Sequence, residues 1–324
     1  GVRLVGSEMC IRDRSEYHAN SKYYYLPAYS EMHRYDSSAG DQYENDRYCV
    51  YRQSPVTLNT WMAQIMKVYG FEKTVMGIAF NFATLFRDVF MRMYQYFPHM
   101  FLTGEKGSGK SKFGESLQAM FTYKQPAFDL NSGTIVAFYR RMARYANAPS
   151  MFEEMHDNIE IKMFQSMKGA ADGRGREMGK ASGDNKTIST KVNCSLIILG
   201  QYLSSRDDNS LTTRSVLGHF IKRQDPYTTE DIENYTTLKA WEEQGINSLI
   251  TEIIQHRGFV VENLHAKYAE LSKKMKKDLQ GKAYEQRVMD SYLTLMTPVT
   301  LLWNHFTFPF TQEEMWNCLL YTSP

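Results

Sequence analysis

The chain has 324 residues, with 38 Lys and Arg against 36 Asp and Glu, so its net charge of +2 neither requires nor excludes a nucleic-acid partner. This length allows one large domain or two smaller ones. The four cysteines lack the spacing of a metal site or a disulfide framework, which favours a reducing, cytoplasmic compartment. The most apolar stretch, 75–86, is too short to cross a bilayer, so no membrane contact is expected.

Both ends of the chain resemble translated sequencing adapter. Residues 1–14 contain LVGSEMCIRDR, and residues 318–324 read CLLYTSP. We set both segments aside from the fold, as expression scars would be. The natural protein is therefore expected to continue beyond both of them.

The first part of the remaining chain is predicted to be a linker followed by helices. Residues 15–56 are polar and rich in tyrosine, and we interpret them as a linker or the tail of an upstream domain. Residues 57–96 carry apolar residues at helical spacing, among them Leu58, Trp61 and Ile65. This pattern predicts a helical collar.

The segment Gly104–Ser111 reads GEKGSGKS and fits the pattern G-x-x-x-x-G-K-[ST] at every specified position. A short apolar run precedes it and an amphipathic run follows it, which is the strand–loop–helix context that a phosphate-binding loop needs. We expect it to bind ATP and Mg²⁺, with the Lys110 side chain on the β- and γ-phosphates and the Ser111 hydroxyl on the metal. The residues expected to contact the nucleotide are Gly104, Glu105, Lys106, Gly107, Ser108, Gly109, Lys110, Ser111 and Lys112.

Residues 97–224 alternate between strand and helix patterns, which predicts an α/β core with a largely parallel sheet and helices on both faces. The predicted strands are 98–103, 126–130, 150–154, 194–200 and 216–222. Residues 225–317 return to helical patterning and form a predicted C-terminal helical region, with breaks expected at Gly245, Gly258 and Gly281.

Two neighbouring glutamates follow the apolar residues of the third predicted strand. We expect Glu153 to complete the metal shell and Glu154 to polarise the attacking water, since nucleotide hydrolysis needs both functions. Which of the two lies on the metal side stays open. The alternative is an acidic helix start without a role in chemistry.

Residues 168–191 hold six basic residues against three acidic ones, with a Gly-Asp-Asn turn at 183–185. This favours a hairpin with Lys180 and Lys186 near its tip. Lysines in such a place suit phosphate contacts without base reading. The alternative is a flexible surface loop.

Two further polar residues border the last core strands. Gln201 follows a strongly apolar strand and could touch the γ-phosphate or its water, or it could be an ordinary strand-end residue. Arg214 precedes the final strand, where a free guanidinium could stabilise the transition state in a neighbouring subunit. Alternatively, Arg214 pairs with Asp207 or Asp208 and Arg206 is the finger.

In this order, the motifs in 98–222 resemble the motor core of an AAA+ ATPase, above all superfamily 3 helicases and the helicase halves of phage and mobile-element primase–helicases. The resemblance implies a homo-hexameric ring that hydrolyses ATP between subunits and moves single-stranded DNA with central hairpins during replication, in a bacterial or phage-infected cell. An ATP-gated DNA-binding initiator without unwinding activity is the alternative. A small-molecule P-loop kinase is disfavoured by the large helical C-terminal part.

Overall fold

The computed structural model describes residues 48, 51–179, 187–203 and 209–321. Its core strands are β1 (His99–Gly104), β2 (Phe128–Asp129), β3 (Pro149–Met155), β6 (Ser195–Gly200) and β7 (Ser215–Phe220), and a separate antiparallel hairpin pairs β4 (Arg176–Gly179) with β5 (Thr187–Thr190). The core strands form one parallel sheet in the order β2-β3-β6-β1-β7. Each lies within two residues of its predicted position. The predicted α/β class with a parallel sheet is confirmed.

The helices surround this sheet. They are α1 (Leu58–Tyr69), α2 (Phe71–Thr84), α3 (Arg87–Tyr94), α4 (Lys110–Ala119), α5 (Ile135–Arg144), α6 (Ile161–Ala171), α7 (Thr229–Gln244), α8 (Leu249–Ile254), α9 (Arg257–Asp278), α10 (Gln286–Leu301) and α11 (Gln312–Tyr321). Threonine hydroxyls cap α1, α5 and α7, at Thr57, Thr134 and Thr228. Gly245 ends α7 as expected, but Gly258 lies inside α9, because the chain turns just before that helix begins.

Alternate residues of each central strand face two different apolar layers. Met100 and Leu102 point into a core shared with α1–α4 and α10, whereas Phe101 points into a second core formed with α5 and α6. This alternation follows from the two-residue period of a strand. Because both faces are covered, the strands read as continuous apolar runs.

The predicted collar and the C-terminal helical region pack together on one face of the sheet. Helix α2 is buried from Thr74 to Thr84 and lies against α10. The end of the predicted linker also joins this layer, since the Arg52 N–H donates to Asn247 Oδ1 at 2.9 Å and the Ser54 N–H donates to Ser248 Oγ at 2.8 Å. The two helical regions therefore share one core with the ATPase-like sheet.

Within the described residues no single helix is long and apolar enough to cross a membrane. Helices α2 and α3 reach that length and composition only as a pair, and they are bent by 74° at the break between them. The apolar composition of α2 is accounted for by its burial against the sheet and α10.

Candidate functional site

The loop between β1 and α4 turns at three glycines. Gly104 has a φ of +146° and lies so close to β7 that a side chain here would meet the Phe220 carbonyl oxygen. Gly107 and Gly109 have φ values of +82° and +94°, which glycine adopts without strain, and their missing side chains would meet no atom within 4 Å. The loop is therefore held against β7 at its start and is open over its middle.

The open part of this loop presents donors that suit phosphate groups. Gly109 begins α4 without a side-chain cap, so the N–H groups of the first turn and the positive end of the helix dipole are left for an anion. The Lys110 ammonium folds back and donates to the Glu105 carbonyl oxygen at 3.3 Å, and the buried Ser108 hydroxyl has no hydrogen-bond partner. The N–H groups of the first turn, the Lys110 ammonium and the Ser108 hydroxyl are all donors that suit the phosphates of a nucleoside triphosphate.

The other two lysines of the predicted nucleotide contact set differ in their surroundings. Lys106 is exposed at the tip of the loop. The Lys112 ammonium is bound by Glu115 Oε2 at 2.8 Å, so this side chain is engaged along α4. Lys112 therefore has only its backbone N–H to offer a phosphate.

The two glutamates of β3 occupy different environments because the strand contains a bulge. Glu153 is paired in register with Asp129 of β2, but the pairing of β3 with β6 is interrupted between Phe152 and Met155. Glu154 lies in this interruption with a φ of +59°, in the left-handed region that a non-glycine residue rarely adopts. A bulge turns a side chain away from its regular direction and is common beside active sites.

The charges around these carboxylates show where each one lies. Burial lowers the pKa of the Lys110 ammonium, and the negative charge of the Glu154 carboxylate opposes that shift. Burial also raises the pKa of Glu153, and the neighbouring carboxylates of Glu154, Asp129 and Glu115 raise it further. Glu115 lies one helical turn after Ser111 on the same face of α4. Glu153 therefore has its resolved interactions with other carboxylates, a setting in which a bound cation would be favourable.

No group of three or more His, Cys, Asp or Glu side chains that could hold a metal occurs within the described residues. A magnesium ion held by the Ser111 hydroxyl and Glu153 would thus take most of its ligands from phosphate oxygens and water. Magnesium commonly binds in this way, through one or two carboxylates and a substrate.

The carboxyl ends of β6 and β7 border the same loop. The Gln201 carbonyl oxygen accepts a hydrogen bond from the Gly104 N–H at 3.2 Å, and its side chain is exposed beside the loop. On the other side, His219 Nδ1 lies 3.1 Å from the Thr103 hydroxyl, one residue before the loop. Sequence reasoning missed His219, because only the pairing of β7 with β1 places it there.

Arg214 lies at the amino ends of the strands, whereas these residues lie at the carboxyl ends. The next residue, Ser215, pairs with His99 at the start of β1, whereas Gly104 pairs with Phe220. At about 3.3 Å per strand residue, Arg214 is roughly 20 Å from the loop of its own chain. Any contact between Arg214 and a nucleotide would therefore have to be made in another copy of the chain.

The Arg214 guanidinium is engaged within the chain, contrary to the expectation of a free group. It donates to the Ser210 carbonyl oxygen at 2.7 Å and lies 3.6 Å from Asp172, whose carboxylate also binds Arg287 at 3.1 Å. The partner is thus an aspartate at the end of α6, which no local pattern indicates. Asp207, Asp208 and Arg206 lie outside the described residues.

The predicted hairpin is present as β4 and β5, and its stem leaves the sheet at the same edge as Arg214. Gly175 begins the stem so close to the opposite arm that a side chain here would overlap the Thr190 carbonyl oxygen. Lys180 and Lys186 lie outside the described residues. Basic residues also occur at the base of the stem, where Lys162, Arg174 and Arg176 line a cavity of about 430 Å³.

No protein-family model and no curated protein matches this chain. Its structure is similar to that of Cch from SCCmec type IV, an active helicase, with a TM-score of 0.58 and 14% sequence identity over 84% of this chain and 51% of that one. The chain thus spans about half the length of that helicase.

Two looser similarities are to JCV helicase, with a TM-score of 0.37 and 11% identity over 79% of this chain and 68% of that one, and to the NrS-1 C-terminal region, with a TM-score of 0.36 and 12% identity over 79% and 70%. Neither is close enough to support an argument about the fold, which rests on the Cch structure. At the level of the fold, the resemblance expected from the order of the motifs is confirmed, because this chain shares the α/β fold of the Cch helicase structure.

Proposed function

We propose that this chain is the motor part of an ATP-driven, Mg²⁺-dependent helicase or translocase acting on DNA. The observation that carries the proposal is the meeting of an open phosphate-binding loop with Glu153, Glu154 and Gln201 at one edge of the sheet. A basic hairpin leaves the opposite edge. Nucleotide chemistry and nucleic-acid contact would thus occupy two ends of one rigid sheet.

Each residue at the carboxyl edge has a separate task in this proposal. The Lys110 ammonium leaves the Glu105 carbonyl oxygen and pairs with the β- and γ-phosphates, while the first-turn N–H groups of α4 hold the phosphate oxygens. Glu154 would orient and polarise the attacking water, since it lies in the bulge of β3 and its charge acts on Lys110 of the loop. Ser111 and Glu153 would hold a magnesium ion, which would supply positive charge to neutralise the phosphates.

Nucleic acid is expected at the hairpin. Lys180 and Lys186 would contact backbone phosphates from the tip, and Lys162, Arg174 and Arg176 would add positive charge at the base of the stem. Because such contacts recognise the phosphate charge, DNA binding should be nearly independent of the DNA sequence and should weaken steeply with salt. Exchanging both tip lysines for alanine should abolish unwinding and leave basal hydrolysis intact, whereas an unchanged salt dependence of DNA binding would exclude the hairpin.

The position of Arg214 supports the proposed assembly into a ring. Because this residue is roughly 20 Å from its own loop by strand geometry, a finger role requires a second copy, and a closed homo-hexamer places each Arg214 beside a neighbour's nucleotide. We further propose that the motor belongs to a phage or mobile-element replication protein working in the cytoplasm of a bacterial or phage-infected cell. The order of the motifs in 98–222, which resembles that of such replication proteins, supports this origin.

The proposal is tested by ATP hydrolysis and strand displacement on a forked DNA. Lys110→Ala should weaken ATP binding, and Glu154→Gln should retain binding and lose turnover, because the amide cannot polarise water. Glu160→Gln is the matched control, since Glu160 is exposed at the start of α6 and has no role in the proposed chemistry. Normal turnover in Glu154→Gln would refute the assigned base. Turnover without strand displacement would instead indicate an ATP-gated DNA-binding protein.

A further inference from the structure

An exposed apolar surface follows β7 and lies beside the phosphate-binding loop. It consists of Ile221, Tyr227, Ile232 and Tyr235, whose side chains are 80%, 66%, 56% and 37% exposed. We call this set the Tyr227 surface. Its residues belong to the segment between β7 and the first half of α7, a part of the chain to which the hydrolysis chemistry assigns no role.

Contacts at the end of β7 place the start of this surface next to the loop. The Phe220 carbonyl oxygen lies against the backbone of Gly104, and the Phe220 ring packs 5.5 Å from the ring of Phe113 in α4, measured between centroids. Ile221 follows directly. The Tyr227 surface therefore begins where the phosphate-binding loop begins.

Helix α7 returns the far end of the surface to the first turn of α4. The Lys239 ammonium donates to the Lys112 carbonyl oxygen at 3.5 Å and lies 5.7 Å from the centroid of the Tyr235 ring. Burial raises the pKa of Tyr235, and the positive charge of Lys112 lowers it. Lys239 thus places Tyr235 beside the helix that would hold the phosphates.

The Tyr227 ring is held in place by a short chain of polar contacts. The Arg223 guanidinium lies over it, 5.0 Å from the ring centroid, and binds Asp231 Oδ2 at 2.8 Å. Asp231 Oδ2 also accepts the Thr228 N–H at 2.9 Å in the capping box of α7. A tyrosine oriented in this way, with most of its surface still exposed, offers a flat aromatic face at little entropic cost on binding.

We propose that Tyr227, oriented by Arg223, is the stacking platform for the base of the nucleotide whose phosphates occupy the Gly104–Ser111 loop. This rests on the proposed function, since it takes the triphosphate site as given. An aromatic ring and a guanidinium both stack on a nucleobase, and both tolerate any base. Ile221 would cover the base edge from the direction of the loop.

The test compares ATP with inorganic tripolyphosphate, which has three linked phosphates but neither the ribose nor the base. Isothermal titration calorimetry on the wild-type chain should show tighter binding of ATP than of tripolyphosphate. Tyr227→Ala should weaken ATP binding roughly 5- to 100-fold, the range expected for one base–aromatic stack, and should leave tripolyphosphate binding unchanged. Tyr227→Phe should bind ATP as the wild type does.

Phe259→Ala is the matched control, because Phe259 is an aromatic residue of α9 that is 44% exposed and packs beside His305, away from the loop. It should change neither affinity. An equal loss of affinity for ATP and tripolyphosphate in Tyr227→Ala, or no loss of affinity for either ligand, would overturn the proposal. A smaller assembly in Tyr227→Ala with ATP preference intact would also overturn it, and would assign the surface to a second copy of the chain.

The wild-type titrations separate this inference from the proposed function. Binding of tripolyphosphate as tightly as ATP would reject the platform and leave the phosphate site standing. Binding of neither ligand would reject the phosphate site itself.

Discussion

The backbone of Glu154 allows a prediction in which two variants lose activity alike but differ in stability. Its φ of +59° lies within the bulge of β3, and such a conformation costs a non-glycine residue about 1–3 kcal/mol. Glycine adopts it without that cost but loses roughly 0.5–1 kcal/mol more backbone entropy on folding. Glu154→Gly should therefore be more stable than Glu154→Ala by about 0.5–2 kcal/mol, while both variants lose ATP turnover.

The comparison with alanine isolates the backbone, because both substitutions remove the carboxylate and its repulsion of Glu153. Urea unfolding without nucleotide measures the difference, and at roughly 1–3 kcal/mol per molar urea it amounts to a midpoint shift of a few tenths of a molar or more. If Glu154→Gly were instead less stable than Glu154→Ala by the usual cost of a strand glycine, the strained bulge would be refuted. Turnover retained in either variant would refute the catalytic role.

The remaining predictions concern Arg214 and His99, which lie at the amino ends of the strands. Arg214→Lys keeps a charge for Asp172, so stability and ATP affinity should hold while turnover falls by a large part of the ~10³–10⁵ that a finger arginine supplies. Mixing it with Lys110→Ala subunits should restore some activity, and a loss of stability without such rescue would mark a structural ion pair instead. His99 is buried with Nε2 2.8 Å from the Met167 carbonyl oxygen, and burial lowers its pKa to about 4. The unfolded chain takes up this proton near pH 6.5 and the folded chain only near 4, so the free energy of unfolding should fall as the pH is lowered from 6.5 to 4, by up to about 1.4 kcal/mol per unit. His99→Asn should flatten the fall, and an unchanged slope in a urea series would exclude His99 as its source.

Local pattern was enough to predict the parts of this molecule that are built from neighbouring residues. The phosphate-binding loop needs glycines at 104, 107 and 109 and a lysine at 110, and their spacing alone identifies it. The central strands β1 and β6 were recognisable because they are buried on both faces and therefore mostly apolar. The hairpin was indicated by its turn residues, and the structure has its two arms where the turn predicted them.

Relations between distant residues could not be predicted in this way. The pairing of Arg214 with Asp172 joins the end of α6 to the start of β7, and the expected partners were its near neighbours in sequence. His219 became a candidate only when β7 paired with β1, and the Tyr227 surface only when α7 returned to the first turn of α4.

The sequence by itself determined the kind of site, because a turn that cradles phosphate is made from consecutive backbone groups and needs no distant partner. Only the tertiary structure decided which side chains surround that turn. Strand order and register bring together the ends of β1, β3, β6 and β7, which are far apart along the chain, and a bulge at Glu154 changes the direction of one side chain there. These pairings depend on how the whole sheet packs between its two apolar layers, so a local sequence pattern cannot predict them.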